Sequence, residues 1–148
     1  MKLYCTKCQK PFSVAADAEP NSSVACPVCN ESYTVPESHT APGVVIGDFL
    51  IESLLSRGGM GEVFVARQIS LDREVALKIL QDKFTNDKEY VDGLFYEARA
   101  AAKVNHPNIV QAYAVGEEDG IYYFAMELIR GETFKSHPDP IRIQNRSG

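Results

Sequence analysis

Four cysteines could bind a metal ion. They form two Cys-x-x-Cys pairs, Cys5 with Cys8 and Cys26 with Cys29, and residues 9–25 separate the pairs. Tetrahedral zinc is held by four thiolates at about 2.3 Å, and each pair delivers two of them from one tight turn. Four protein ligands leave no position open for water, so the spacing predicts one structural zinc site, a zinc ribbon, over residues 1–36. The same ligands also suit iron, and the sequence leaves zinc and iron open.

Other uses of the cysteines are disfavoured. Disulfides belong to an oxidising compartment, and the first residues, MKLYCTKCQKPF, lack the apolar stretch of a secretory signal, so a cytoplasmic location is expected. A thioredoxin-type redox site needs a single pair beside a βαβ unit. The two pairs are instead followed by the same pattern, an aromatic residue and then a valine, which predicts that Phe12 and Tyr33 cover the metal. Gln9 and Asn30 follow the pairs and are expected at positive φ, although glutamine departs from the usual glycine.

A glycine-rich segment could bind phosphate. Residues 56–63 read SRGGMGEV between two apolar runs. Gly58, Gly59 and Gly61 lack Cβ atoms, so the backbone there can approach a nucleotide and direct N–H groups at its oxygens. Taken alone, the segment is read equally well as a hairpin turn.

A lysine and a glutamate follow this segment at defined distances. Lys78 ends the string VALK on an otherwise apolar strand, and Glu97 lies in the next predicted helix. In isolation Lys78 is the exposed end of a strand and Glu97 a solvated helix charge. A lysine on an otherwise apolar strand favours a functional role for Lys78. The order of the motifs has to decide between this role and the exposed alternative.

Apolar periodicity predicts the elements that position these residues. Strands are expected over 49–55, 63–69 and 75–80, then a helix over 87–104, then two further strands. The helix is indicated by Tyr90, Leu94, Ala98 and Ala101, with Asn86 as N-cap. Residues 35–43 read VPESHTAPG and lack apolar periodicity. Residues 37–46 are therefore predicted to link two separate cores, so that loss of the metal site unfolds residues 1–36 alone.

Four strings occur in a characteristic order: SRGGMGEVFVAR, VALKIL, FYEARAAAKVNHPNIV and YYFAMELIRGETF. Because of these strings and their spacing, residues 47–134 resemble the amino-terminal lobe of a bacterial serine/threonine protein kinase. The resemblance implies an α+β fold, in which a five-stranded antiparallel sheet carries one main helix behind the zinc ribbon. It also implies a transferase that uses ATP and magnesium.

The resemblance assigns roles residue by residue. Nucleotide contacts are implied for Ser56, Gly58, Gly59, Gly61, Val63, Ala76, Lys78, Met126, Glu127 and Ile129, with Glu132 as a candidate ribose contact. Lys78 would hold the α and β phosphates, and Glu97 would orient it through an ion pair. Met126 takes the gatekeeper position before a hinge over 127–129. Ser56 departs from the family, which has its first loop glycine there.

The resemblance ends after Phe134. The family continues with a large helical lobe that carries HRD and DFG segments, and neither occurs in the 148 residues. Residues 135–148 form an atypical tail in which Pro138 and Pro140 interrupt the expected helix. A truncated kinase is expected, with nucleotide binding and without phosphoryl transfer.

Composition limits the partners. The formal net charge is −5, and the lysines of residues 1–40 are outnumbered by acidic residues, so nucleic acid is not an expected partner. No run of 18 apolar residues predicts a membrane span. The expected partners are ATP and either another protein or a second copy, through an exposed lobe surface. The alternative function is a non-catalytic module in which the ribbon docks on a partner and the lobe senses nucleotide.

Overall fold

The computed structural model describes residues 1–59, 61–80 and 85–131. In these ranges the strands are β1 (Lys2–Cys5), β2 (Lys10–Ser13), β3 (Ser23–Ala25), β4 (Ser32–Thr34), β5 (Val44–Ile46), β6 (Phe49–Arg57), β7 (Gly61–Gln68), β8 (Arg73–Leu80), β9 (Ala112–Glu118) and β10 (Ile121–Glu127). The helix α1 spans Lys88–Ala102, and a 3-10 turn spans Ile69–Leu71. Glu132 and the predicted tail over 135–148 lie outside the described residues.

The predicted five-stranded antiparallel unit with one main helix is confirmed in the described residues. Its strands lie side by side in the order β6-β7-β8-β10-β9, and each neighbouring pair is antiparallel. Gly58 and Gly59 follow β6, Gly61 is the first residue of β7, and α1 follows β8. Strand alternation gives the sheet two distinct sides, because Val75, Leu77 and Ile79 of β8 all point to the same side.

Helix α1 begins one residue later than its sequence signals suggest. The side chain of Asp87 accepts a hydrogen bond from the N–H of Glu89 at 3.0 Å, so Asp87 is the N-cap and the prediction of Asn86 was wrong. The predicted apolar stripe is confirmed, since Leu94 and Ala98 are buried against Phe124 of β10.

The ribbon extends the same sheet. Strand β1 pairs with β2 on one side and with β5 on the other, and β5 pairs with β6, which gives an eight-stranded sheet in the order β2-β1-β5-β6-β7-β8-β10-β9. Strands β3 and β4 form a separate two-stranded ladder. Part of the predicted linker, Val44–Ile46, is therefore a strand, and all three of its residues are buried.

Two cores lie on the two sides of the sheet. The helix-side core contains Leu80, Leu94, Ala98 and Phe124. The second core, which we call the shared core, contains Leu3, Cys5, Val35 and other residues of 1–36 together with Phe49, Ile51, Leu77 and other residues after 44. The expectation of two separate cores was thus wrong, because strand pairing through β5 joins the ribbon to the lobe. The domain boundaries themselves stay a prediction.

Within the described ranges, no helix combines the length and the apolar character that crossing a membrane requires.

Candidate functional site

The four cysteine sulfurs lie together. All are within 4.8 Å of one another, with Cys5 Sγ 3.4 Å from Cys29 Sγ and Cys8 Sγ 3.7 Å from Cys26 Sγ. A tetrahedron with metal–sulfur bonds of about 2.3 Å has edges of about 3.8 Å, so the cluster has the size of a four-thiolate metal centre. The four thiols are free and not joined in disulfides. The donors, their number and their spacing therefore fit a zinc or iron ion.

Local structure places each pair for this geometry. Gln9 and Asn30 follow the two pairs with φ of 57° and 61°, so both turns adopt the left-handed conformation that the sequence predicted, glutamine included. The backbone N–H of Cys8 donates to Cys5 Sγ at 3.4 Å. Such N–H···S bonds stabilise a thiolate, which is the form that binds metal.

Tyr33 contacts the cysteine cluster directly. Its hydroxyl donates to Cys5 Sγ at 3.2 Å and accepts the backbone N–H of Thr6 at 2.9 Å. Its ring lies 5.6 Å from that of Phe12, centroid to centroid. Sequence periodicity indicated the ring as a cover, but nothing in the sequence signalled the hydroxyl contact.

The thiols differ in acidity. Burial opposes ionisation of Cys5, but hydrogen bonds from the Cys8 N–H, the Tyr33 hydroxyl and Cys29 outweigh it and lower the pKa of Cys5 to about 6. Burial and the adjacent thiols raise the pKa of Cys8 to about 12. Neighbouring thiolates repel each other, so a bound cation is what would let all four ionise together.

The glycine loop lies between β6 and β7. The N–H of Gly58 donates to the carbonyl of Gly61 at 2.9 Å, and Arg57 Nε lies 2.9 Å from Glu62 Oε1 across the base of the loop. The sequence motifs did not predict this ion pair, although opposite charges flanking a turn are a usable signal. A Cβ on Gly61 would collide with the carbonyl oxygen of Ile79 in β8, so this position requires glycine.

Lys78 and Glu97 meet between sheet and helix. Lys78 Nζ lies 2.8 Å from Glu97 Oε2, which joins β8 to α1. The two side chains are 21% and 52% exposed, so the pair is open to solvent rather than enclosed. Both residues line a cavity of about 310 Å³ whose other lining residues are Leu80, Glu89, Tyr90, Gly93 and Leu94.

The other predicted contacts share one face of the sheet with Lys78. Val63 of β7 is the cross-strand partner of Lys78, and Met126 of β10 is the partner of Ala76. Directly opposite residues in antiparallel strands point to the same side, and Ala76 and Lys78 are two positions apart on one strand. Val63, Ala76, Lys78 and Met126 therefore form a continuous surface. Ser56 lies at its edge as the partner of Val63.

The predicted hinge follows this surface. The N–H of Glu127 donates to the carbonyl of Gln111 at 2.9 Å, and the Glu127 side chain accepts the N–H of Gln111 at 3.3 Å. Glu127 is thereby fixed to the chain entering β9. Ile129 lies beyond the strand and is 60% exposed. The structure thus brings Lys78, Glu97 and the apolar face together, and the predicted hinge continues from Met126 at the end of the same strand.

Comparison with known proteins places this arrangement in a family. The model of the protein kinase domain matches residues 49–145, more than half of the chain. The chain belongs to the protein kinase domain family. Residues 1–48, with the cysteine cluster, lie outside that match.

Several relatives of this chain are bacterial proteins. It is 44% identical over 93 residues to the serine/threonine-protein kinase PrkC of Bacillus subtilis, covering 63% of this chain and 14% of that protein. It is 37% identical over 95 residues to the serine/threonine-protein kinase PknA of Mycobacterium tuberculosis, covering 61% and 22%. It is also 39% identical over 93 residues to the tyrosine-protein kinase MasK of Myxococcus xanthus, covering 61% and 14%. The chain thus spans between 14% and 22% of the length of these curated relatives.

A solved structure supports the same assignment. A point mutant of the Mycobacterium tuberculosis PknI kinase domain superimposes with a TM-score of 0.54 at 30% identity, over 62% of this chain and 37% of that one. The predicted fold, a kinase amino-terminal lobe behind a cysteine cluster of metal-binding size, is confirmed by these matches together with the sheet order.

Proposed function

We propose that residues 47–134 are the nucleotide-binding lobe of an ATP-dependent serine/threonine protein kinase. Lys78 neutralises the α and β phosphates of ATP, and Glu97 holds the Lys78 ammonium in position. Val63, Ala76 and Met126 enclose the adenine, and the backbone of residues 127–129 bonds to its edge. The loop of Ser56, Gly58, Gly59 and Gly61 covers the phosphates.

The contact between Lys78 and Glu97 carries this proposal. A solvent-open pair of long side chains contributes little to stability, so stability alone does not account for a lysine beside an apolar sheet face. A phosphate ligand accounts for it, because the ammonium lies on the face that also presents Val63 and Ala76. The glycine loop begins at the end of the same face, beside Ser56, and a glycine-rich loop can bind phosphate through its backbone N–H groups.

We propose further that this chain alone binds ATP weakly and does not transfer phosphate. Magnesium in this family is held by an asparagine and by the aspartate of DFG, and the substrate hydroxyl is deprotonated by the aspartate of HRD. The 148 residues contain neither HRD nor DFG. Magnesium would balance the triphosphate charge when bound, and without these ligands that balance falls to Lys78.

Calorimetric titration with Mg-ATP tests the nucleotide site. We expect measurable binding to the wild type and at least about tenfold weaker binding to Lys78→Met, because one charge-assisted phosphate contact is lost. Lys88→Met is the matched control, since Lys88 is an exposed lysine at the start of α1. Equal affinity of wild type and Lys78→Met would refute the assigned role.

Incubation with labelled ATP and a generic substrate protein tests the second part. No labelled protein and no released phosphate are expected from the wild type. Turnover that disappears in Lys78→Met would show that this chain supplies groups for transfer by itself.

We propose that the cysteines bind one structural zinc ion. The support is the fit of four free thiols within 4.8 Å to a closed tetrahedral site. Native mass spectrometry and elemental analysis of the chain should give one metal per chain. A metal content below about half an equivalent after metal-replete expression would exclude the site, and the element found decides between zinc and iron.

The alternative, a ribbon that docks on a partner beside a nucleotide-sensing lobe, predicts the same ATP binding without turnover. Self-association or another protein partner stays a prediction, because no described contact bears on it.

A further inference from the structure

The cysteine cluster is attached to the sheet of the lobe that carries the proposed nucleotide site. Strand β1, which ends at Cys5, pairs with β5, with Lys2 opposite Val45 and Leu3 opposite Val44. The N–H of Tyr4 also donates to the carbonyl of Gly43 at 3.0 Å. Strand β5 in turn pairs with β6, the strand that leads into the glycine loop.

The cysteines also belong to the lobe's interior. Cys5 and Cys26 are 0% and 1% exposed, and they lie in the shared core with Phe49, Ile51 and Leu77. Two of the four ligands are thus packed in the core that supports β6 and β8. Removing Cys5 and Cys26 from the shared core would leave apolar surface of β6 and β8 open to water.

A polar contact also joins the ribbon to the lobe. The carboxylate of Glu118, at the end of β9, contacts Lys2 Nζ in an ion pair and accepts the N–H of Gly47 at 2.6 Å. Glu118 therefore connects the ribbon, the turn between β5 and β6, and the β9–β10 hairpin.

We infer that metal binding at the four cysteines controls the folding of the nucleotide lobe, so that ribbon and lobe form one cooperative unit. The inference rests on the metal site proposed above. A ribbon of about 36 residues buries too little surface to fold alone, and the metal supplies its folding free energy. Loss of the metal would release β1, and with it the cover of β5 and of the shared core.

The consequence reaches the phosphate loop. Strands β6 and β7 carry the loop and β8 carries Lys78, and all three strands contribute residues to the shared core. Metal availability would thereby set the fraction of molecules whose lobe can bind ATP. Oxidation would act in the same way: two cysteine thiolates form one disulfide, the two electrons reduce a peroxide to water or a reagent disulfide to two thiols, and the metal loses two of its ligands.

Amide hydrogen exchange read by mass spectrometry tests this inference on the whole chain, in parallel with native mass spectrometry that counts bound metal. The zinc-loaded protein is compared with protein treated with a chelator and with chelated protein given zinc again. We expect exchange in peptides from β6, β7 and β8 to quicken at least about tenfold on chelation and to recover with zinc. Cys26→Ser should exchange like the chelated wild type.

Two outcomes separate this inference from the metal site itself. If one metal binds and its removal quickens exchange only within residues 1–36, the cooperative unit is refuted while the metal site stands. If no metal binds, both fall.

Glu118→Gln tests the junction independently of the cysteines. With zinc, this variant should exchange faster in β6 to β8 than the wild type; after chelation the two should be equal, because the ribbon has already detached. A difference that persists unchanged after chelation would contradict coupling through the ribbon.

Discussion

Lys2 and Glu118 form an ion pair although 116 positions separate them in the sequence. The same Glu118 carboxylate accepts the N–H of Gly47. Burial by itself would raise the pKa of Glu118, but the hydrogen bonds from Lys2 and Gly47 outweigh burial and lower it. The ionised form of Glu118 is thus favoured by folding.

Replacing Glu118 should weaken the fold at neutral pH. Glu118→Gln loses the charge that Lys2 contacts, and we expect the free energy of unfolding to fall by about 1 kcal/mol, since the lysine is partly exposed and screened by water. Urea denaturation followed by far-UV circular dichroism measures this. Glu19→Gln, which neutralises an exposed carboxylate in the ribbon, should leave the free energy unchanged.

The pH dependence of stability should identify the same carboxylate. Because folding lowers the pKa of Glu118, its contribution is complete above the unfolded-state pKa of about 4.3 and is lost as pH falls through the lower folded-state value. Wild type should therefore lose more stability than Glu118→Gln as the pH is lowered from about 5 to about 3. Parallel losses in the two proteins would contradict the assignment.

Tyr33→Phe should weaken metal binding without unfolding the ribbon. The variant keeps the ring beside Phe12 and loses the hydroxyl that bonds Cys5 Sγ and the Thr6 N–H. Loss of such a contact to a metal ligand lowers affinity by about tenfold or more. Competition with a chelating indicator measures the affinity. Tyr4→Phe removes a hydroxyl elsewhere in the ribbon and should bind metal like the wild type.

Two glycines of the loop should respond differently to alanine. Gly61→Ala places a Cβ against the carbonyl oxygen of Ile79, so β7 must move away from β8, and a loss of about 1–3 kcal/mol is expected. A Cβ on Gly59 meets no atom within 4 Å, so Gly59→Ala should unfold at the wild-type temperature. Thermal unfolding by circular dichroism compares the pair, and equal midpoints would refute the close approach at Gly61.

The start of α1 should depend on Asp87 and not on Asn86. Asp87→Ala removes the side chain that accepts the Glu89 N–H, and loss of an N-cap costs about 1 kcal/mol. Asn86→Ala should be neutral, because Asn86 precedes the cap. Urea titrations of both variants give the comparison; a larger loss for Asn86→Ala would restore the assignment made from the sequence.

Much of this protein follows from local signals. The cysteine spacing indicated the cluster, because four donors close in sequence can meet only in a small unit. Alternation of apolar residues indicated β6, β7, β8 and the two strands after α1, since each strand buries one side. The order of the glycine loop, Lys78 and Glu97 indicated the kinase family before any contact was known.

Register-dependent contacts could not be predicted in this way. The pairing of β1 with β5 joins two segments that each look complete in the sequence. The proline-rich composition before Gly43 suggested a linker. Composition carries no information on which strand edge lies nearby, so it could not predict this pairing. The choice of Asp87 over Asn86 as cap depends on where the first helical turn closes, and both residues have a suitable side chain.

The sequence by itself determined the elements, the four-cysteine cluster and the motifs of the kinase family, because each arises from residues within a few turns or one strand of each other. Only the tertiary structure decided that ribbon and lobe share a sheet and a core, and that Glu118 meets Lys2. The physical reason is that both depend on strand register and on how the strand edges meet, which are set by the packing of the whole sheet and not by any segment alone.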